Sequence, residues 1–223
     1  MSFVHLRVHT EYSLVDSVVR ISRMMGAAVG GGMPAIALSD QSNMFALIKF
    51  YRAAIKAGVK PVIGVDARIA NPEGFLSPVV LLAQNMEGYL NLSKLVSRSY
   101  QEGQSERGAV VEFSWLEDQT EGIIALSGGR TGDVGRALLA EYSAEAEQCL
   151  KRWQKQFPDR FYIELQRTGR ADEERYNQAA IQLAGKAACP VVATNDVRFI
   201  KPEEFEAHEI RVCIHQGLSL IHI

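Results

Sequence analysis

The sequence has few cysteines, no long apolar run and no surplus of positive charge. Its three cysteines, Cys149, Cys189 and Cys213, are widely spaced and form neither a CxxC pair nor an even disulfide set, which predicts free thiols in a reducing compartment. No apolar stretch reaches the roughly 18 residues that a membrane helix needs. The N-terminus also lacks the apolar segment of a signal peptide. These absences predict a cytoplasmic protein without a membrane partner.

The charge balance argues against one further class, the nucleic-acid-binding domains. Lys and Arg number 24 against 26 Asp and Glu, for a formal net charge of −2. Proteins that bind nucleic acid through its phosphates need a surplus of Lys and Arg. We therefore do not expect this segment to bind nucleic acid by itself, although the net charge does not exclude a local basic patch. The length of 223 residues and the 47% hydrophobic content are typical of one large globular domain.

Short apolar runs alternate with longer amphipathic segments along the chain. The runs predict strands at 3–8, 35–39, 62–70, 79–83, 122–127, 161–166 and 191–194, and the segments 44–57, 87–100, 144–157 and 173–187 predict helices. The first helix carries Phe45, Ile48, Tyr51 and Ile55 at helical spacing and stops at Gly58. The alternation predicts a parallel sheet, and about seven strands favour a closed or nearly closed barrel over an open doubly wound sheet.

Polar side chains gather where the predicted strands end. His9 and Asp16 follow the first strand, Asp40 follows the second, Asp66 lies within the third, and Asp196 follows the last. In a parallel barrel these ends converge on one rim, where such folds build their sites. Four carboxylates and one imidazole would suit a hard or borderline cation. The alternative is that each Asp caps the helix after it, an interpretation that is stronger for any one residue than for the whole set.

Several stretches of the sequence resemble one protein family. They are residues 3–13 (FVHLRVHTEYS), 39–45 (SDQSNMF), 60–64 (KPVIG), 81–85 (LLAQN) and 193–199 (ATNDVRF), and the matching text runs from about Phe3 to Gln216. They resemble the N-terminal PHP (polymerase and histidinol phosphatase) domain of bacterial DNA polymerase III alpha subunits. The resemblance implies an α/β fold, a distorted (β/α)₇ barrel like a TIM barrel, over residues 1–217 of a much longer polymerase.

The resemblance also implies partners and a place in DNA replication. The domain is expected to be a structural and docking platform for the proofreading exonuclease (epsilon) subunit within the polymerase III holoenzyme. DNA and Mg²⁺ would be bound by the polymerase domain, whose aspartates lie outside this segment, so nucleotidyl transfer is not expected here. Residues 218–223 (LSLIHI) match the translation of a transposon-end sequence used in DNA library preparation. We expect them to be a non-native tail and exclude His222 from any site.

Members of this family with an intact site hold a cluster of metals with His, Asp, Glu and Cys side chains and hydrolyse phosphoesters. This sequence departs from that pattern at both ends of the site. Arg7 takes the place of the first histidine of the His-x-His motif, and Arg198 takes the place of the last histidine. Asp66 stands where a Glu is usual, and the other departures are Gln41, Pro78, Gly129 and Thr168.

These departures predict a vestigial metal site without catalytic residues, made of Arg7, His9, Asp16, Asp40, Asp66, Asp196 and Arg198. A pocket of aspartates that has lost its metal holds unpaired buried charge, which is costly. We therefore hypothesise that Arg7 and Arg198 replace the lost cations by pairing with Asp40, Asp66 or Asp196. The alternative is that both arginines point to solvent.

No cofactor is then expected for this domain. The residual candidates for a metal such as Zn or Mn are His9, Asp40 and Asp196. Two other functions stay open at this point. One is an active metal-dependent PHP phosphoesterase or exonuclease, and the other is a free-standing barrel enzyme of the amidohydrolase or histidinol-phosphatase kind.

Overall fold

The computed structural model describes residues 3–14, 16–106 and 108–217, so the predicted tail at 218–223 lies outside the described residues. The strands are β1 (Ala35–Leu38), β2 (Lys60–Ala70), β3 (Leu76–Ala83), β4 (Gln104–Ser105), β5 (Gly108–Ala109), β6 (Val111–Glu112), β7 (Ile123–Leu126), β8 (Phe161–Gln166) and β9 (Val191–Thr194). The helices are α1 (Ile21–Gly30), α2 (Leu47–Ala57), α3 (Met86–Gln101), α4 (Asp133–Leu139), α5 (Ser143–Gln156), α6 (Glu173–Lys186) and α7 (Phe205–Gln216). None of the helices in this described part is long and apolar enough to cross a membrane.

Local sequence signals explain where the predicted helices begin and end. Helix α2 ends at Gly58, which has a left-handed φ of 71° and donates its backbone N–H back to the helix. Helix α3 begins after Asn85, whose side chain accepts a hydrogen bond of 2.9 Å from the backbone N–H of Gly88. The four predicted helices correspond to α2, α3, α5 and α6, with boundaries that differ by three residues at most.

The main sheet curls into a distorted barrel, with the strand order β1-β2-β3-β7-β8-β9 and β6 beside β2. The predicted first strand, at 3–8, is an extended segment rather than a regular strand. This segment still joins the two ends of the sheet. The backbone N–H of Ser39 donates to Val8, and Val197 exchanges backbone hydrogen bonds with Arg7 and His9. Val8 and Val197 also form a parallel bridge, which closes the barrel beyond β9.

The prediction of a fully parallel sheet was wrong for β3. This strand runs antiparallel to both β2 and β7, whereas the pairs β1–β2, β7–β8 and β8–β9 are parallel as predicted. The reason lies in the connection: only residues 71–75 join β2 to β3, and they turn at Gly74, which has a φ of 82°. A parallel crossover needs about a dozen residues or more, so this short link permits only a hairpin.

The largest apolar core lies between the sheet and helices α3 to α6. At its centre the ring of Trp153 stacks on Phe161, with 5.7 Å between the ring centroids, and both side chains are buried. The indole N–H of Trp153 donates to Asp133 at 2.9 Å, so its buried polar atom is satisfied. This packing holds β7 and β8 in place and thereby positions Glu164, the acidic residue in the middle of β8.

Candidate functional site

Arg7 lies at the centre of the polar cluster inside the barrel. Its Nε and Nη2 atoms donate to Oδ2 of Asp66 at 2.9 and 2.7 Å. Nη1 lies 3.3 Å from Oε2 of Glu164, and Nε lies 3.4 Å from Oδ1 of Asp196. The side chains of all four residues are at most 5% exposed. One guanidinium therefore contacts three buried carboxylates that come from three different strands or strand ends.

Arg198 forms the second cationic contact at the same rim. It forms an ion pair with Asp16, and its Nε and Nη2 atoms donate to the two oxygens of Asp196 at 3.2 Å each. Arg170 adds a third guanidinium, with Nη1 3.3 Å from Oδ2 of Asp196. The predicted pairing of Arg7 and Arg198 with Asp66 and Asp196 is thus present, and neither arginine points away from the carboxylates.

His9 is fully buried between two aspartates. Its Nδ1 atom lies 2.7 Å from Oδ2 of Asp16, and its Nε2 atom lies 3.0 Å from Oδ2 of Asp66. Both ring nitrogens therefore face carboxylate oxygens. The two contacts hold the imidazole ring in one orientation between Asp16 and Asp66.

Asp40 lies beside the cluster but has different partners. It accepts hydrogen bonds from the backbone N–H of Thr10 at 2.6 Å, from the Thr10 hydroxyl at 2.9 Å and from the Ser13 hydroxyl at 2.7 Å. Of the three aspartates offered as partners for the arginines, Asp40 is therefore the one that neutral donors from Thr10 and Ser13 satisfy instead. Of the predicted metal trio, His9 and Asp196 group with Asp66 rather than with Asp40.

Glu164, like Arg170, is a site residue that the sequence did not predict. It lies in the middle of β8, is fully buried, and accepts hydrogen bonds from Gln166 at 3.1 Å and from Thr194. A signal was available, because Glu164 is the only charged residue in the otherwise apolar and amide-bearing run FYIELQ. A charged side chain inside such a strand is almost never buried unless it is paired.

The family model of the PHP domain matches residues 5–168 of this sequence, a range that begins before Arg7 and includes Glu164. The chain belongs to the PHP domain family. The PHP domain is 51% identical over 222 residues to a DNA polymerase III subunit alpha of Pseudomonas aeruginosa and 47% identical over 220 residues to that of Escherichia coli. These matches cover 99% and 98% of this chain but only 19% of each relative, so the chain spans about a fifth of their length.

Two solved structures share the fold of this PHP domain at low sequence identity. An amidohydrolase from Chromobacterium violaceum, with bound sulfate and no metal, has a TM-score of 0.58 at 14% identity and covers 93% of this chain and 96% of its own. A protein assigned as a metal-dependent phosphoesterase from Bifidobacterium adolescentis has a TM-score of 0.55 at 10% identity, with coverage of 99% and 98%. These neighbours support the barrel-like fold that the sequence predicts.

The pKa values in the cluster follow from the competition between burial and pairing. Burial alone would raise the pKa of Asp66, but the charge of Arg7 and the contact with His9 outweigh it and lower the pKa to about 2. For Glu164 the balance is reversed: burial raises the pKa more than Arg7 and Thr194 lower it. For Arg7, burial lowers the pKa, but the three carboxylates raise it further, so the guanidinium stays charged.

A metal ion does not fit the donor set of this PHP domain as arranged. Ligand atoms of His9, Asp66 and Asp196 lie within 4.8 Å of one another, as in a metal site. However, Asp66 and Asp196 are already paired with Arg7, and a metal would sit against that permanent charge.

An open cleft of about 900 Å³ lies over this cluster. The residues that line it include Arg7, Asp66, Asp196 and Arg198 of the cluster, together with Pro78 and Tyr100. The cluster is therefore reachable from solvent on one side, although its central groups are almost completely covered. Access from solvent therefore does not limit chemistry at this site.

Proposed function

We propose that this PHP domain is the N-terminal part of a DNA polymerase III alpha subunit and serves DNA replication as a structural domain in the bacterial cytoplasm. The support is the identity of 44–51% to eight curated alpha subunits over nearly the whole chain. In that setting, DNA and Mg²⁺ belong to the polymerase domain rather than to this segment.

We further propose that the cluster formed by Arg7, His9, Asp16, Asp66, Glu164, Asp196 and Arg198 stabilises the barrel and catalyses no reaction. One observation carries this proposal: the Arg7 guanidinium contacts Asp66, Glu164 and Asp196, which are the carboxylates that would otherwise hold a cation. Metal-dependent phosphoester hydrolysis needs several free ligands and an open position for water. The arginines remove the first requirement while keeping the buried carboxylates paired.

The partner proposed for this domain is the proofreading exonuclease subunit of the polymerase III holoenzyme. The resemblance to alpha subunits supports it, and a rigid barrel closed by the segment before His9 offers a stable docking platform. Size-exclusion chromatography of the full chain with the purified exonuclease subunit tests this part. Co-elution is expected, whereas separate elution at about 10 µM of each protein would contradict it.

A hydrolysis assay and a metal analysis of the same protein test the proposed absence of catalysis. Purified full chain, supplied with Mn²⁺ or Zn²⁺, is expected to show no hydrolysis of bis-para-nitrophenyl phosphate above that of the His9→Ala variant. Elemental analysis of the wild type is expected to find zinc and manganese far below one ion per chain.

The second candidate function is an active metal-dependent PHP phosphoesterase. The observation in its favour is the grouping of His9, Asp66 and Asp196 ligand atoms within 4.8 Å. Stoichiometric metal, together with hydrolysis that disappears in His9→Ala, would establish this candidate and overturn the structural role.

A further inference from the structure

Helix α2 presents an apolar row to solvent on the side that faces away from the barrel. The row is at the spacing that indicated the helix in the sequence, yet the structure buries a different side of α2, with Phe50 and Ala54 completely covered. The members of the row are 50–62% exposed: Phe45, in the turn before α2, and Ile48, Tyr51 and Ile55 on the helix. Contiguous exposed apolar side chains of this kind mark interaction surfaces in soluble proteins.

A row of cations runs along one edge of these apolar side chains. Lys49, Arg52 and Lys56 follow one another at spacings of three and four, so they share one side of α2, and all three are exposed. No Asp or Glu occurs between Asp40 and Asp66 in the sequence. Within the described residues, neither Arg52 nor Lys56 has an ion-pair partner. We call the apolar row and the three cations together the α2 face.

The α2 face continues into the mouth of the cleft described above. The ring centroids of Phe45 and Tyr100 are 6.0 Å apart, and Tyr100 lines the cleft. The face is therefore a surface of at least four large apolar side chains that extends from the barrel rim along α2. Ten residues separate Phe45 from Ile55, a length of about 15 Å along a helix, which matches two to three turns of a partner helix.

We propose that the α2 face docks an amphipathic, acidic segment of a protein partner. An amphipathic helix laid on this surface would bury its apolar side chains against Ile48, Tyr51 and Ile55. Acidic side chains along its edge would pair with Lys49, Arg52 and Lys56. This proposal concerns the side chains of the α2 face rather than the carboxylate cluster, and it does not depend on the polymerase assignment.

The charges on the α2 face decide between the possible occupants. A second copy of the chain would bring Lys49, Arg52 and Lys56 close to the same cations, which is unfavourable at a two-fold interface. A nucleic acid would use the cations and the rings of Phe45 and Tyr51, but Ile48 and Ile55 offer no stacking surface for bases. An acidic amphipathic protein segment uses both the aliphatic and the cationic parts of the face.

Fluorescence anisotropy with two designed peptides tests this proposal on the full chain. The first peptide is a labelled amphipathic helix of Leu and Glu, and the second has the same Leu pattern with Lys in place of every Glu. The Leu–Glu peptide is expected to bind with a Kd on the order of 10 µM, and the Leu–Lys peptide about tenfold or more weakly. Added salt should weaken the first interaction.

Variants locate the binding on the α2 face. Ile48→Glu and, independently, Lys56→Glu are each expected to weaken the Leu–Glu peptide about tenfold. Both side chains are exposed, so the fold should survive, and circular dichroism checks this. The matched control is Ile181→Glu on α6, which changes a side chain that is 53% exposed and should leave the affinity unchanged within about twofold.

Several binding results would overturn the proposal. They are equal affinity for the two peptides, no measurable binding of either, insensitivity to both α2 variants, and stronger binding to single-stranded oligothymidylate or to phosphatidylserine vesicles than to the Leu–Glu peptide. Sedimentation of the wild-type chain as a dimer that becomes a monomer in Ile48→Glu would likewise assign the face to self-association.

Discussion

Arg7 and Glu164 are buried together inside the barrel, with Nη1 of Arg7 3.3 Å from Oε2 of Glu164 and side-chain exposures of 5% and 0%. Asp66 and Asp196 contact the same guanidinium from other directions. A planar guanidinium carries five N–H donors and keeps its charge at every pH that a protein tolerates. One arginine can therefore hold three carboxylates that would repel one another without it.

Replacing Arg7 with methionine should destabilise the protein strongly. Arg7→Met keeps much of the side-chain volume but leaves Asp66, Glu164 and Asp196 without their shared cation, and breaking a buried ion pair in this way costs about 3–5 kcal/mol. Urea unfolding followed by circular dichroism measures the change. The matched control is Arg167→Met, whose exposed pair with Glu174 should contribute less than about 1 kcal/mol. Equal effects of the two substitutions would contradict the central role of Arg7.

The depressed pKa of Asp66 predicts how stability changes with pH. Its pKa is about 2 in the folded chain, against an ordinary value of 3.8, so the folded state favours the carboxylate. The resulting stability, on the order of 2 kcal/mol, is present above about pH 4 and is lost as the pH falls towards 2. Asp66→Asn should therefore be less stable than the wild type at pH 6, and the two should converge near pH 2. A stability difference that does not change between these pH values would refute this assignment.

Much of the site could be predicted from the sequence, because most of its residues follow strand ends and because the family pattern is close. The pairing of Arg7 and Arg198 with aspartates followed from the family resemblance, which marked both positions as ligand positions, together with the cost of unpaired buried charge. Glu164 was missed because the reasoning considered strand ends, whereas this residue lies inside β8. Asp40 was one of three possible partners for the arginines. The sequence could not exclude it, because the Thr10 and Ser13 donors that satisfy it depend on the path of the chain after Val8.

The fold was predicted in the same uneven way. Periodicity identified the strands that became β1, β2, β3, β7, β8 and β9, but it carries no information on strand direction. The antiparallel direction of β3 follows from the length of the link at 71–75, which the sequence contained and the alternation argument overlooked. The apolar spacing along α2 indicated a helix but not which side is buried, because both sides of this helix carry apolar residues.

A close backbone contact between Gly88 and Gly122 predicts that adding one methyl group at Gly88 lowers the stability of the protein strongly. A Cβ atom at Gly88 would lie 1.8 Å from the carbonyl oxygen of Gly122. The clash is with backbone, so no side-chain rotamer change can relieve it. Gly88→Ala should therefore cost about 3 kcal/mol or more in unfolding free energy. The control, Gly26→Ala in α1, meets nothing within 4 Å and should gain about 0.5–1 kcal/mol. Thermal or urea unfolding distinguishes these opposite signs.

Restoring histidine at the two arginine positions should create metal affinity. The double variant Arg7→His/Arg198→His removes two permanent charges and adds two imidazoles beside Asp66 and Asp196, so zinc binding should tighten at least about tenfold over the wild type. Calorimetric titration with Zn²⁺ measures this, either directly or as zinc-dependent refolding. The control variant Arg167→His, at an exposed ion pair, should leave the affinity for Zn²⁺ unchanged. No gain of zinc binding by either readout would mean that the arginines do not occupy ligand positions.

If arginines rather than metal ions balance the buried carboxylates, the thermal stability of the chain should not depend on added metal. Thermal unfolding of the wild-type chain in EDTA, in Mn²⁺ and in Zn²⁺, each at about 1 mM, tests this claim. A ligand at about 100 times its Kd stabilises a protein by about 2.7 kcal/mol, which raises the Tm of a domain of this size by roughly 5 °C or more. We predict Tm values within about 1 °C of one another in the three solutions. A rise of several degrees with metal that EDTA reverses and His9→Ala abolishes would contradict the account.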